Sequence, residues 1–204
     1  MKKTAVIIMV LSISSFLSAG TASIGSVISY GDLQIDNHPV RTSGTIFDGS
    51  VIETGSSAIS SVDVRLNGNV RLTLHSGSRG TLYSDHLVLF HGEAELDAPP
   101  SFRTEVTGLT ISSSEPRTSG LISIGRDGVV NVSVQAGGFR VSKDSGLFLA
   151  QVSSQKPLAL SPAASGEWRV GNGWGEGFDG DHDHCYHDDD DRDCDHHHHH
   201  HPSK

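Results

Sequence analysis

Alternation between apolar and polar residues, interrupted every few positions by turn residues, is the feature that most constrains this chain. The clearest example runs from Val62 to Leu74, where every second residue is apolar on either side of Asn67-Gly68-Asn69. A period of two residues places the apolar side chains on one face of a β-strand. Asn and Gly are typical of hairpin turns because they tolerate a positive φ. The segment therefore predicts a β-hairpin with one buried face.

The parity of this pattern decides the length of the hairpin loop. A two-residue loop would pair Val64 with Arg71 and mix the two faces, whereas a three-residue loop pairs Val64 with Leu72. The sequence therefore predicts the odd loop, or an equivalent bulge. Arg65 and Arg71 are then expected to face solvent, while the apolar residues face the core.

The same alternation recurs from Ile24 to Leu160. Short apolar runs flank His91-Gly92, others flank Arg126-Asp127-Gly128, and no stretch has a sustained helical stripe with caps. The chain also contains 23 glycines in 204 residues, which suits short strands joined by many turns. We therefore expect an all-β fold of roughly a dozen short strands. A sandwich, a roll and a barrel all remain open at this point.

The N-terminal segment has the order of a secretory signal peptide. Lys2 and Lys3 precede an apolar run from Ala5 to Leu17, and small residues follow. That run would rise about 20 Å as a helix, which is short of the roughly 30 Å hydrocarbon core of a bilayer. Residues 1–22 are therefore predicted to be a cleaved signal peptide. The mature chain is expected to be extracytoplasmic, either periplasmic or secreted, with no stable membrane insertion.

Negative charge is concentrated at the C-terminal end. The segment from Asp179 to Lys204 has nine Asp against Arg192 and Lys204, while the rest of the chain has 15 acidic and 13 basic residues. No basic cluster is dense enough to bind a phosphate backbone, so nucleic acid is not an expected partner. The composition predicts an all-β domain over residues 24–162, a Gly/Trp-rich linker over 163–180 and a disordered His/Asp-rich tail over 181–204.

The tail is rich in metal ligands. Its imidazole and thiol donors are His182, His184, Cys185, His187, Cys194, His196, His197, His198, His199, His200 and His201. Such donors suit Zn²⁺, Ni²⁺ and Cu²⁺, and no spacing matches a closed structural zinc site. We therefore expect several loosely equivalent metal sites and no other cofactor. The six consecutive histidines also resemble an affinity tag, but the Asp/His composition around them and the final Pro202-Ser203-Lys204 favour a native origin.

Two patterns in the predicted domain are candidates for a catalytic or a metal site. Ser153-Ser154-Gln155-Lys156 fits the S-x-x-K motif, but Pro157 follows directly and the motif needs a helix. His75, His86 and His91 would suffice for a zinc site if neighbouring strands brought them together. We interpret the first pattern as chance and the three histidines as surface or turn residues. The chain is therefore not expected to be an enzyme.

The segment from Gly44 to Ala58, GTIFDGSVIETGSSA, resembles the opening of the FecR domain. The hairpin around Asn67-Gly68 and the Val130 to Val141 region are also similar to that domain, so the resemblance covers Ile24 to Pro162. FecR proteins typically relay the state of an outer-membrane siderophore receptor to a cytoplasmic sigma factor. The resemblance implies a periplasmic β domain. Only Lys2 and Lys3 precede the apolar run, so we expect a detached extracytoplasmic module without the anti-sigma segment.

The expected function is that of a non-catalytic binding or assembly module in the cell envelope, with a metal-binding tail. Its partner would be an envelope protein or ligand that the sequence does not identify. An alternative is a metal buffering or delivery protein whose main activity lies in the tail. A more remote alternative, implied by the FecR resemblance, is a sensor component of envelope-to-sigma-factor signalling.

Overall fold

The computed structural model describes residues 22–57, 61–67, 69–154, 156–163 and 165–172. These residues form strands and turns without any helix, which confirms the all-β prediction. Within the described ranges there are 17 strands, more than the dozen expected. In chain order they are β1 Ser23–Tyr30, β2 Leu33–Ile35, β3 His38–Val40, β4 Ser43–Phe47, β5 Ser50–Thr54, β6 Ser61–Leu66, β7 Val70–Leu74, β8 Arg79–Leu82, β9 His86–Ala98, β10 Arg103–Val106, β11 Leu109–Ser113, β12 Thr118–Ile124, β13 Val130–Ala136, β14 Gly138–Lys143, β15 Phe148–Ser153, β16 Leu158–Pro162 and β17 Trp168–Asn172.

The strands form two sheets that share the long strand β9. Sheet 1 has the order β4-β1-β6-β7-β9-β12-β13-β16-β17. Sheet 2 has the order β3-β2-β5-β8-β9-β10-β11-β14-β15. Every one of these pairings between described strands is antiparallel except β9 with β10, which is parallel. Because β9 belongs to both sheets, the strands form one continuous hydrogen-bonded network.

The inner faces of the two sheets pack against each other through one apolar core. Two glycines of sheet 1 show how closely the sheets approach. A β-carbon on Gly44 would lie 3.1 Å from Ile35 Cδ1, and one on Gly120 would lie 2.7 Å from Phe139 Cε2, and both partners belong to sheet 2. Burial of these apolar faces is the main favourable term in forming the fold.

The predicted hairpin is confirmed in its register. Leu66 pairs with Val70, Arg65 with Arg71 and Val64 with Leu72 across β6 and β7. The apolar members are buried and both arginines are exposed. The loop therefore has three residues, and Asn69 takes the left-handed conformation with a φ of 67°.

The predicted break at His91-Gly92 is wrong, because β9 continues through it for 13 residues. Leu87 and Leu89 are buried at odd positions before Gly92, while Ala94 and Leu96 are buried at even positions after it. The alternation of buried and exposed side chains is therefore offset by one residue at the point where β9 passes from sheet 2 to sheet 1. Gly92 absorbs this change with a φ of 90°, a conformation that glycine adopts without a steric penalty. The turn residue marks a bend between sheets rather than the end of a strand.

Sheet 1 also continues beyond Pro162, where the predicted domain ends. Trp168–Asn172 forms β17, which pairs with β16, and this strand lies inside the segment 163–180 that the sequence predicts as a linker. Trp168 is partly buried against the core. Alternation was not apparent there because glycines occupy much of the segment. The predicted signal peptide, except Ala22, and the predicted tail lie outside the described residues.

Candidate binding face

Sheet 1 has an outer face made of the side chains that point away from the core. One row of this face crosses the sheet near the β6–β7 turn, where Arg65 lies opposite Arg71 and Arg71 lies opposite Asp97. Arg117, just before β12, donates two hydrogen bonds to the Asp97 carboxylate, from Nε at 2.7 Å and from Nη2. We call Arg65, Arg71, Asp97 and Arg117 the basic row, because it has three guanidinium groups and one carboxylate.

Arg117 stabilises the ionised form of the acid in this row. The hydrogen bonds from Arg117 lower the pKa of Asp97 below its usual value, while burial of the carboxylate raises it. The positive charges of Arg117 and Arg71 also lower this pKa. The same contact raises the pKa of Arg117. Asp97 is therefore ionised at neutral pH and engaged by Arg117.

The next row of the outer face is acidic. The hydroxyl of Thr73 donates a hydrogen bond to Asp63 at 2.9 Å, and the amide of Gln135 donates one to Glu95 at 3.2 Å. These carboxylates are thus held by neutral partners. Within the described residues, the side chains of Arg65 and Arg71 make no hydrogen bond and no ion pair within 4 Å. The face therefore has separated stripes of opposite charge.

His75 lies further along the same face, beside two glutamates. Its Nε2 atom is 3.7 Å from a carboxylate oxygen of Glu93 and 3.9 Å from one of Glu95. Nε2 is inaccessible to solvent and has no hydrogen-bond partner among the residues that the structure describes. Both glutamates lie on one side of β9, as their spacing of two residues predicts. These distances are those of a loose polar cluster rather than of bonded neighbours.

The structure does not bring His75, His86 and His91 together as a metal site. The Nδ1 atom of His91 is 2.9 Å from the carbonyl oxygen of Gly77, while His86 belongs to a separate cluster. Within the described ranges, no group of three or more His, Cys, Asp or Glu residues is arranged to hold a metal ion. The donors predicted to bind metal, from His182 to His201, lie outside those ranges.

The cluster around His86 lies on β9 and β10 of sheet 2. The Nδ1 atom of His86 is 2.7 Å from a carboxylate oxygen of Asp85. The ring of Tyr83 stacks on the His86 imidazole, and the two ring centroids are 4.3 Å apart. Arg103 donates hydrogen bonds to Asp85 at 2.8 Å and to Glu105 at 3.1 Å. The contact with His86, followed by those with Arg103, lowers the pKa of Asp85. The side chains of this surface cluster are thus engaged with one another, and Arg103 pairs with both of its carboxylates.

Ser153 and Lys156 do not have helical geometry. Ser153 ends β15, and the N–H of Lys156 donates to the carbonyl of Ser153 at 3.1 Å. This turn differs from the helix that a Ser-x-x-Lys nucleophile pair requires. The interpretation of this pattern as chance agrees with the local backbone.

The sequence predicted Arg65 and Arg71 to face each other, but it contained no signal for the pairing of Arg117 with Asp97. These two residues are 20 positions apart, and they meet only because β12 lies beside β9. No described helix is long and apolar enough to cross a membrane. No family model, curated protein or solved structure matches the chain, so the FecR resemblance stays a prediction.

Proposed function

We propose that this chain is an exported, non-catalytic β domain that acts as a binding or assembly module in the cell envelope. The observation that carries the proposal is the outer face of sheet 1. Its charged rows are held at fixed spacing by antiparallel strands, and two of its guanidinium groups form no ion pair within 4 Å among the described residues. A rigid face with unsatisfied charge is suited to electrostatic recognition of a partner.

Apolar anchors lie on the same face. Ile28 pairs with Asp63 and Tyr30 pairs with Ser61, so both β1 side chains point to the outer side of sheet 1. Both are about half exposed. Protein interfaces combine exposed aromatic or aliphatic anchors with a charged rim. This combination favours a protein partner over a purely solvated surface.

A second candidate function is metal buffering or delivery by the tail, which the proposed binding module would then present. Nine of the 13 histidines and both cysteines lie between residues 182 and 201. Neutral imidazole binds Zn²⁺, Ni²⁺ and Cu²⁺, and neighbouring carboxylates raise the local cation concentration. Solubility alone does not require so many histidines.

Capture from the envelope extract of the source cells separates these functions. The bait is the chain truncated after Gly180, compared with the full-length chain and with a Tyr30→Ser variant of the truncated bait. We expect the truncated bait to retain a defined partner and Tyr30→Ser to weaken its capture. Phe90→Ser, which removes an equally exposed aromatic side chain from sheet 2, is the matched control. Capture only by the tail-bearing chain would favour metal handling and contradict the proposed role of the domain.

A further inference from the structure

A cavity lies at the end of the outer face of sheet 1, where the β6–β7 turn meets the end of β9 and the start of β12. It has a volume of about 420 Å³ and is lined by Asn69, Arg71, Ala98, Pro99, Pro116 and Arg117. This volume is enough for a group the size of a monosaccharide or a single side chain. The cavity is therefore adjacent to the basic row, and two arginines of that row form part of its wall.

The charges in the cavity wall do not balance. Asp97 is the only carboxylate of the basic row, and Arg117 already holds both of its oxygens. Arg71 contributes a second guanidinium without a hydrogen bond or an ion pair in the described part of the chain, and Arg65 lies directly opposite it. The carboxylates of the neighbouring acidic row keep their charge, because Thr73 and Gln135 are neutral donors, but neither carboxylate lines the cavity. The described residues that line the cavity include two guanidinium groups and no carboxylate, which favours an anionic ligand.

The wall is also preorganised. Asp97 fixes the Arg117 guanidinium through Nε and Nη2, which leaves Nη1 available as a donor. Pro99 and Pro116 have no N–H group and fixed φ, so they add rigid apolar surface without competing donors. Planar guanidinium groups recognise carboxylate and phosphate oxygens by paired hydrogen bonds. Holding the Arg117 guanidinium in place before binding reduces the entropy that this donor loses when a ligand binds.

From this arrangement we infer that the cavity binds the oxyanion of a small ligand that contains a carboxylate or phosphate group, with Arg71 and Arg117 as its donors. The ring or chain that carries the oxyanion would pack on Pro99 and Pro116. The inference rests on the proposed function, because it names a ligand class for the same face. It does not depend on the tail.

The test is titration of the full-length chain by calorimetry with three probes: inorganic phosphate, glucuronate and uncharged glucose. We expect phosphate, glucuronate or both to bind, and glucose not to bind. Binding of glucuronate alone identifies a carboxylate ligand, and binding of phosphate alone identifies a phosphate ligand. The affinity should fall with added salt, because the attraction is between charges. Absence of binding by both anions would overturn the inference.

Variants locate the site. Arg71→Ser and Arg71→Lys should each weaken anion binding about tenfold or more. Ser removes the positive charge and the donors, whereas Lys keeps the charge but lacks the paired donors of a guanidinium group. Arg126→Ser is the matched control, since it removes one exposed positive charge from the β12–β13 turn at the other end of sheet 1. Equal weakening by Arg126→Ser would show nonspecific attraction and overturn the inference. Thermal unfolding confirms that each variant is folded.

The same variants separate the two proposals. In one outcome the anions do not bind the wild-type chain, but the Arg71→Lys variant still captures the envelope partner. The proposed oxyanion site is then wrong, and the proposed role as a binding module is retained. If the anions bind through Arg71 and the truncated domain captures no partner, the oxyanion site stands and the assembly role fails.

Discussion

Gly92 lies so close to Ser78 that a β-carbon on Gly92 would be 2.5 Å from the Ser78 Cα. The Ser78 hydroxyl also donates a hydrogen bond to the Glu93 carbonyl at 3.0 Å and accepts one from the Glu93 N–H at 2.8 Å. These contacts hold β9 where it passes from sheet 2 to sheet 1. The connection between the sheets therefore depends on the absence of a side chain at residue 92.

We expect Gly92→Ala to lower the free energy of unfolding by about 3 kcal/mol or more, because backbone atoms must move and φ is positive. Gly77→Ala is the matched control. Gly77 has a φ of 66°, and a β-carbon there would meet no atom within 4 Å, so its cost is about 1 kcal/mol. Urea unfolding measures both variants. Similar losses for the two would contradict the proposed importance of the close approach.

The β6–β7 register predicts opposite behaviour for two adjacent residues. Val64→Asp should lower the free energy of unfolding by at least about 3 kcal/mol, because Val64 is buried and the new charge has no partner there. Arg65→Ser should change it by less than about 0.5 kcal/mol, because Arg65 is exposed. Comparison of the denaturant midpoints tests this. Equal midpoints would contradict the register.

Stability should depend on pH through Asp97. Its pKa is lowered in the folded state by Arg117, so its contribution is present above the ordinary pKa of an aspartate and is lost as pH falls through the folded value. Asp97→Asn should therefore destabilise the protein at about pH 7, by no more than about 1 kcal/mol, and have little effect at about pH 2.

Glu115→Gln is the control for that experiment, because Glu115 is exposed and has no cation partner in the described part of the chain. Its denaturant midpoint should match that of wild type at both pH values. A destabilisation by Asp97→Asn that persists undiminished in acid would show that its origin is packing rather than charge.

The predicted metal binding by the tail is tested on the full-length chain and on the chain truncated after Gly180. The full-length chain should bind several equivalents of Zn²⁺, Ni²⁺ or Cu²⁺ at about pH 7.5, with Cu²⁺ the tightest. Binding should weaken at about pH 5, because imidazole becomes protonated and loses its lone pair. Calorimetry gives stoichiometry and affinity. Equal uptake by the truncated chain would place the metal sites in the β domain.

The local sequence pattern is sufficient to predict hairpins, in which the two paired strands are adjacent in the sequence. The loop between β6 and β7 could be predicted because only one parity keeps Val64 and Leu72 on the same face, and this constraint acts within 13 residues. Alternation also indicated short apolar runs on either side of Arg126-Asp127-Gly128, and these are β12 and β13, where Ile122 pairs with Val132. It failed at His91-Gly92, because a glycine with positive φ has the same signature in a turn and in a strand that changes sheets.

The sequence by itself determined the all-β class and the buried face of the β6–β7 hairpin, because both follow from the spacing of side chains along the chain. The tertiary structure alone decided which distant strands are neighbours. It placed Arg117 on Asp97, did not assemble His75, His86 and His91 into a metal site within the described ranges, and added β17 to sheet 1. The reason is that pairing of β9 with β12 and of β13 with β16 depends on burial of both sheets against one core. The free energy gained by this burial depends on the whole fold, so it cannot be read from any short segment of the sequence.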